Sequence, residues 1–243
     1  MRSLLRGLQW PASCDVCGHW PSAPVCANCR NAHAPLQSRC PSCALRLAPG
    51  LTRCHRCQTE PPPAWRTVHA RVDYGYPWSG LVQGLKFQRQ TGWAAPLAEL
   101  MLECPDALTT LGRVDVVAPI PLTPARLVTR GYNQAWELVR ALRRRTDLPP
   151  AWPDLLSRDG STAAVHTLPR QARHDATRHA FTVTERHAHR LHGAHVLLVD
   201  DVMTTGATLA AATRAVLEAG AASVSGWVFA RTPPAQGIEQ GME

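Results

Sequence analysis

Val196-Leu197-Leu198-Val199-Asp200-Asp201-Val202-Met203-Thr204-Thr205-Gly206-Ala207-Thr208-Leu209 is the stretch that decides how this chain reads. Four apolar residues run into two acids, and a turn of small residues follows before helical spacing resumes. A short apolar run closed by a turn reads as a buried strand. A small-residue turn that opens a helix presents backbone N–H groups and hydroxyls, and helix-start amides favour a phosphate. Thr204, Thr205, Gly206, Ala207 and Thr208 are therefore the expected phosphate cradle. Gly206 allows positive φ or close approach, and Ala207 leaves room. Asp200 and Asp201 would repel a phosphate; they suit ribose hydroxyls, or a Mg²⁺ nearby. The plainer alternative is a buried strand followed by an acid-capped turn. The stretch has no Gly-x-Gly-x-x-Gly and no Gly-Lys-Ser/Thr, so it is neither a dinucleotide fingerprint nor a P-loop.

Outward from this loop, helices and strands alternate. His195–Val199 reads as a buried strand, Ala207–Ala219 as a helix stopped by Gly220, and Val224–Ala230 as another buried strand. Upstream, Val68, Ala70, Val72 and Tyr74 alternate as a half-buried strand. Leu81, Val82 and Leu85 fall at helical spacing, and a second helical run covers Ala94–Leu102. Val114–Ile120 reads as a buried strand, and Asn133 opens a helix with Trp136, Val139 and Leu142 on one face. From Pro149 to His192 periodicity weakens; a long loop is expected, with strand near Ala180–Val183 and its histidines on the surface. Such alternation implies an α/β fold with a mainly parallel sheet.

Pro119-Ile120-Pro121-Leu122-Thr123-Pro124-Ala125-Arg126-Leu127-Val128-Thr129-Arg130-Gly131-Tyr132-Asn133-Gln134 follows one of those strands. Arg126 and Arg130 stand ahead of a helix, where a second anion is favoured. A solvated Pro-rich turn is the alternative. Lys86, the only lysine, sits at a helix end; it either reaches an anion beside the sheet or answers the helix dipole at the surface.

Eight of the nine cysteines form four Cys-x-x-Cys pairs: Cys14/Cys17, Cys26/Cys29, Cys40/Cys43 and Cys54/Cys57. Zinc takes four thiolates tetrahedrally, so eight ligands make two sites. Gaps of 8, 10 and 10 residues between pairs suit zinc ribbons. Sequential pairing closes the shorter loops, and pairing of the first with the third pair stays open. Pro61-Pro62-Pro63 marks the expected border between a small module, residues 1–60, and a larger domain, residues 64–243. The net charge of +8 attracts polyanions. No run is long and apolar enough for a membrane span, and the start does not read as a secretory signal. The cytoplasm, where thiols stay reduced and available to metal, is the expected compartment. Trp65, Trp78 and Trp93 flank basic residues; core positions and a single-strand stacking face are both open to them.

The 196–209 stretch resembles the phosphoribosyl pyrophosphate (PRPP) loop of type I phosphoribosyltransferases. The Pro-Ile-Pro-Leu…Arg…Arg-Gly-Tyr-Asn-Gln-Ala string, Lys86-Phe87 and the cysteine pairs together are similar to the ComF/GntX family, the ComFC-type competence proteins. That resemblance covers nearly the whole chain. It implies a type I phosphoribosyltransferase-like domain behind an N-terminal double zinc ribbon. It further implies PRPP and Mg²⁺ as ligands, with Asp200 and Asp201 at the ribose as catalytic residues. The turn 204–208 would hold the 5′-phosphate, and Arg126, Arg130 and Lys86 would face the pyrophosphate. The family's place in DNA uptake and natural transformation implies single-stranded DNA, a DNA-uptake helicase and a second copy of the chain as partners. In the family's Thr-x-x-Gln-x-x-Leu and Arg-x-x-Asn blocks, Thr162, Leu168 and Arg173 match, whereas Val165 replaces the glutamine and Ala176 the asparagine.

Overall fold

The computed structural model describes residues 12–160 and 180–234. Two compact units divide between Leu36 and Gln37. The smaller contains helix α1 (Ala27–His33), capped by Cys26. The larger runs from the second pair of Cys-x-x-Cys motifs to the chain's end and includes helix α2 (His55–Thr59). The division therefore falls before the Pro61-Pro62-Pro63 break. Residues 37–60 join the larger unit because their backbone bonds to it: the Pro41 carbonyl accepts from the Val68 amide at 2.8 Å. Arg39 also pairs with Asp73 at 2.8 Å.

The core of the larger unit is a four-stranded sheet in the order β1 (Val68–Asp73), β6 (Ser223–Arg231), β5 (His195–Met203), β2 (Val116–Pro119). Every pairing in it is parallel. Parallel sheets need cover on both faces, which is why their strands are apolar throughout. Successive strand residues point to opposite faces. Val196 and Leu198 accordingly join the cluster formed with Leu209, Ala212 and Val216 of helix α9 (Ala207–Glu218). Leu197 and Val199, also buried, face the other way, toward helix α7 (Gln134–Arg143). There α7 lies beside α4 (Ala94–Leu102), and Trp78 of α3 (Trp78–Phe87) meets Phe229 edge-on at 5.9 Å.

The sequence expectations meet this fold unevenly. β5 continues through both acids to Met203 instead of stopping at Val199, because Asp200 and Val202 still pair with Val228 and Ala230. β1 is buried on both faces rather than half-buried: Arg71 is 6% exposed and is ion-paired to Glu103 at 2.7 Å. On α7 the buried face is Ala135, Leu138, Val139 and Leu142, with Trp136 at its edge. The stretch expected as a long loop with strand near Ala180–Val183 has that strand as β4 (Phe181–Val183), and adds an unexpected antiparallel partner, β3 (Leu156–Arg158), and helix α8 (Glu185–Ala188). His187 is not a surface residue. It is 4% exposed, bonded to Asp154 at 2.8 Å and stacked on Trp152 at 4.6 Å. Helices α1, α2 and α8 had no expectation, and neither did α5 (Pro105–Leu111) and α6 (Pro124–Arg130). Thr162, Val165, Leu168, Arg173 and Ala176 lie outside the described residues. Among the described residues no helix is long and apolar enough to cross a membrane.

Candidate functional site

In open parallel sheets, ligands bind beyond the carboxyl ends of the strands. Here β2 and β5 are neighbours, in register from Val116↔Val196 to Pro119↔Val199. The chain leaving β2 stays bonded to β5, with the Ile120 amide donating to Val199 O at 2.8 Å. The two segments that follow, 119–135 and 200–208, are thereby set side by side.

Each segment is built locally. Thr123 caps α6, accepting from the Arg126 amide, Pro124 takes the first turn, and Gly131 ends the helix at φ +83°. Asn133 caps α7 through its Oδ1 and ties back through Nδ2 to Ile120 O at 2.9 Å. The Tyr132 hydroxyl donates to Leu85 O, which fixes the end of α3, and hence Lys86, against this segment. After β5, Gly206 caps α9 at φ +87°. Glycine suits the angle here, and a Cβ on it would lie 2.7 Å from the flexible end of Met203 and 3.3 Å from the Trp65 ring.

Between the segments lies a cavity of about 610 Å³. Lys86, Arg126, Arg130, Asp200, Asp201, Thr204 and Thr208 all line it. Thr205 and Ala207 are exposed on the turn and Gly206 is buried under it; these three are not in the cavity wall. Lys86 Nζ lies 2.9 Å from Asp201 Oδ2, although the oxygen has no aligned hydrogen bond. Of the two roles open to Lys86, the structure has it turned inward to the sheet end. Arg130 bonds Gln134 Oε1 and stands over the Phe87 ring at 5.1 Å.

Two further cations line the same cavity, Arg89 and Arg158, and sequence reading missed both. Arg158 projects from β3, in a stretch whose three-residue strand is too short to leave a period. Its Nε is buried with no hydrogen-bond partner. Burial, then Arg126, lower its pKa while Asp200 opposes them. A buried guanidinium edge of this kind is costly unless an anion meets it. Arg89 has φ +56°, and no composition signal marks it.

The acids are held under strain of charge. Burial first, and the neighbouring Asp201 charge second, push the Asp200 carboxyl well above the usual carboxylate range, with Lys86 pulling the other way. Two carboxyls that share one buried site behave this way.

The eight paired cysteines form two groups, Cys14/Cys17/Cys26/Cys29 and Cys40/Cys43/Cys54/Cys57, the sulfurs of each within 4.8 Å of one another. The grouping is the sequential one. Four thiolates around one zinc have bonds of about 2.3 Å and hence edges of about 3.8 Å. Sγ separations of 3.7 Å between Cys17 and Cys26 and 3.5 Å between Cys43 and Cys54 suit that shell. Burial raises the Cys14 thiol, but amides of Cys26, Cys17 and Val16 outweigh it and hold it at about 6. Cys40 is held at about 7 by amides of Cys54, Ser42 and Cys43 against the same burial. Each group thus has the donor set of a four-sulfur metal site, led by a thiol primed to ionise.

Residues 155–238 match the model of the phosphoribosyl transferase domain. The DNA utilization protein YhgH of Escherichia coli (strain K12) is 34% identical over 232 residues, 91% of this chain and 98% of that protein. The chain belongs to the ComF/GntX family. Competence protein F of Haemophilus influenzae is 32% identical over 172 residues, 70% of this chain and 74% of its own length. Among solved structures, the glutamine PRPP amidotransferase of B. subtilis, complexed with ADP and GMP, superposes with a TM-score of 0.40 at 18% identity. It covers 61% of this chain and 30% of its own, too loosely to bear on the site. In this ComF/GntX protein the family's Pro-Ile-Pro-Leu…Asn-Gln string and its acid pair share one cavity wall.

The acid pair yields a pH test. A carboxyl whose folded pKa is raised contributes stability that is complete below its unfolded value and is lost as pH rises through the folded one. Asp200→Asn removes that loss, so the ligand-free variant should melt higher than wild type at pH 7.5. A difference of about 2–4 °C corresponds to roughly 1 kcal/mol in a chain of this size. The gap should shrink as pH is lowered to 5. Thermal melts showing the variant less stable at pH 7.5, or a pH-independent gap, would contradict the shifted carboxyl.

Proposed function

We propose that the cavity binds PRPP with Mg²⁺ and that the protein serves the uptake and use of DNA. The observation that carries the first half is the lining of one cavity by an acid pair, a hydroxyl-rich turn and an array of cations. The second half is supported by relatives named for DNA utilization and competence. In this reading the turn Thr204–Thr208 holds the 5′-phosphate, and Asp200 and Asp201 accept hydrogen bonds from the ribose hydroxyls. Arg126, Arg130 and Lys86 face the pyrophosphate, and Arg89 and Arg158 add to that field. Mg²⁺ arriving with PRPP would supply charge neutralisation for the leaving group. During transfer the bond from C1 to the pyrophosphate oxygen breaks, the electron pair leaves with pyrophosphate, and a bond from the acceptor to C1 forms. Arg126 and Arg130 stabilise the charge that develops on the departing oxygen. The acids orient the ribose rather than move protons. The cysteine groups hold two structural zinc ions, in a reducing compartment, the cytoplasm.

A second reading keeps the ligand and drops the turnover. Val165 and Ala176 stand where polar residues are expected, so the domain would sense PRPP while the arginine surplus holds single-stranded DNA or a helicase partner. Pyrophosphate release from PRPP with candidate acceptors separates the two readings.

PRPP with Mg²⁺ binds only the folded protein and should raise its melting temperature, by about 2.7 kcal/mol of stability at a hundredfold excess over Kd. Asp201→Asn and Thr205→Val should diminish the shift; equal shifts in all three proteins would make the turn a structural one. Metal analysis of protein purified without chelator should give about two zinc per chain. Less than one, or cysteines found as disulfides by mass spectrometry, would remove the ribbons from the reading. Single-stranded DNA binding should weaken steeply with salt, about 0.7 in log–log slope for every phosphate neutralised. Salt-independent or undetectable binding would leave the positive charge as solvated surface.

A further inference from the structure

The Cys40/Cys43 knuckle is wired into the phosphate turn. Its three consecutive carbonyls, Pro41, Ser42 and Cys43, all accept from the sheet domain. Pro41 O takes the Val68 amide at 2.8 Å and the Thr67 hydroxyl at 3.3 Å. Ser42 O takes Trp65 Nε1 at 2.9 Å, and Cys43 O takes Arg231 Nε at 2.6 Å.

Two of these donors continue to the turn. Arg231, at the end of β6, is 4% exposed. Its Nη1 donates to Met203 O at 3.1 Å and to Thr204 O, the first residue of the cradle. One planar guanidinium therefore spans from a metal-ligand residue to the phosphate turn. Its fork is rigid, so the distance between the two carbonyl groups is held by covalent geometry rather than by a flexible linker. Trp65 is 9% exposed and puts its ring against Gly206, 3.3 Å from where a Cβ would be. The left-handed residue that opens α9 thus rests on a ring whose indole N–H is anchored on the knuckle.

A Cys-x-x-Cys knuckle keeps its shape because metal binding supplies folding energy; without metal it opens. We propose that Arg231 and Trp65 are positioning residues through which the metal bound by Cys40, Cys43, Cys54 and Cys57 sets the ligand-binding shape of the phosphate turn. Loss or oxidation of this one metal site would then relax residues 203–208 while the sheet stays folded. The ligand's identity rests on the PRPP reading above; the link itself does not.

Hydrogen exchange on the full chain, without ligand, tests the link, with metal content measured in each protein. Cys54→Ser should bind about one zinc instead of two. It should speed exchange in residues 203–208 about tenfold, the scale of one lost buried hydrogen bond to a charged group, and leave strand 116–119 protected. Arg231→Gln and Trp65→Phe should loosen the same peptide with both metals retained. Cys26→Ser, which loses the other metal, should leave it unchanged. In the Arg231→Gln background, Cys54→Ser should add less than it does alone, because part of its effect acts through Arg231 and only the Trp65 route is left. Mg²⁺·PRPP affinity should fall in the same order. The proposal is overturned if Cys54→Ser leaves 203–208 as protected as wild type, if Cys26→Ser loosens it equally, or if the Cys54 and Arg231 effects add in full. Should Arg231→Gln also expose strand 116–119, the Trp65→Phe protein decides, since it leaves Arg231 in place while removing the indole N–H to Ser42 O and the outer ring atoms that meet Gly206. Wild type that fails to bind PRPP would refute the ligand and leave the exchange result standing.

Discussion

The parallel pairing of β2 with β5 is the constraint on which the site depends. It runs through Pro119↔Val199 and is extended by the Ile120 amide to Val199 O. Two chain segments about eighty residues apart leave the sheet as neighbours. One brings Arg126 and Arg130 on a short capped helix, and the other brings two acids and a hydroxyl-rich turn. Neither segment is a binding site alone. The strand register brings both to line one cavity, and Tyr132, bonded to Leu85 O, adds Lys86 to that lining.

Charge in that cavity is unbalanced in a way that stability alone does not favour. Two adjacent acids at a strand end, one of them 2% exposed, repel each other, and a single lysine offsets them. Arginines across the cavity include one whose Nε has no partner. Each of these groups would be satisfied by a ligand that carries hydroxyls in its middle and anionic groups at its ends. Sites that bind ligands commonly keep such costs in the free protein.

The cysteine groups occupy different mechanical settings. The first lies in the smaller compact unit, and the second is fastened to the sheet by three successive carbonyls. Four pairs that look alike as sequence are therefore not equivalent as structure. The long side chains that distinguish them, Trp65 and Arg231, come from the far side of a proline run and from the last strand. Trp65 and Trp78 are spent in this packing and in the core, which leaves neither as an open stacking face.

Much of the fold was legible because it rests on local patterns. The apolar runs at Val114–Ile120, His195–Val199 and Val224–Ala230, the helix over Ala94–Leu102 and the Asn133 cap all carry periods or capping residues that short-range sterics and hydrogen bonding impose. The Thr123-Pro124…Gly131 signature of α6 was equally present and went unread, hidden by Pro124 and by Pro119 and Pro121 just before it. Of the short ladder of Leu156–Arg158 with Phe181–Val183, the second strand was expected, while the first is too short to leave an alternation. Arg89, Arg158 and Arg231 were invisible for a stronger reason. An arginine looks the same on a solvated surface and in a cavity, and only long-range packing decides which groups it faces. By itself the sequence determined the strand–acid–turn–helix succession, the metal-ligand spacing and the cap chemistry, since each depends on residues within a turn or two of one another. Tertiary structure alone decided that the two loops share a cavity, that His187 is buried, and that one cysteine knuckle is tied to the phosphate turn. Those outcomes depend on strand register and on contacts between residues far apart in the chain, which leave no local pattern.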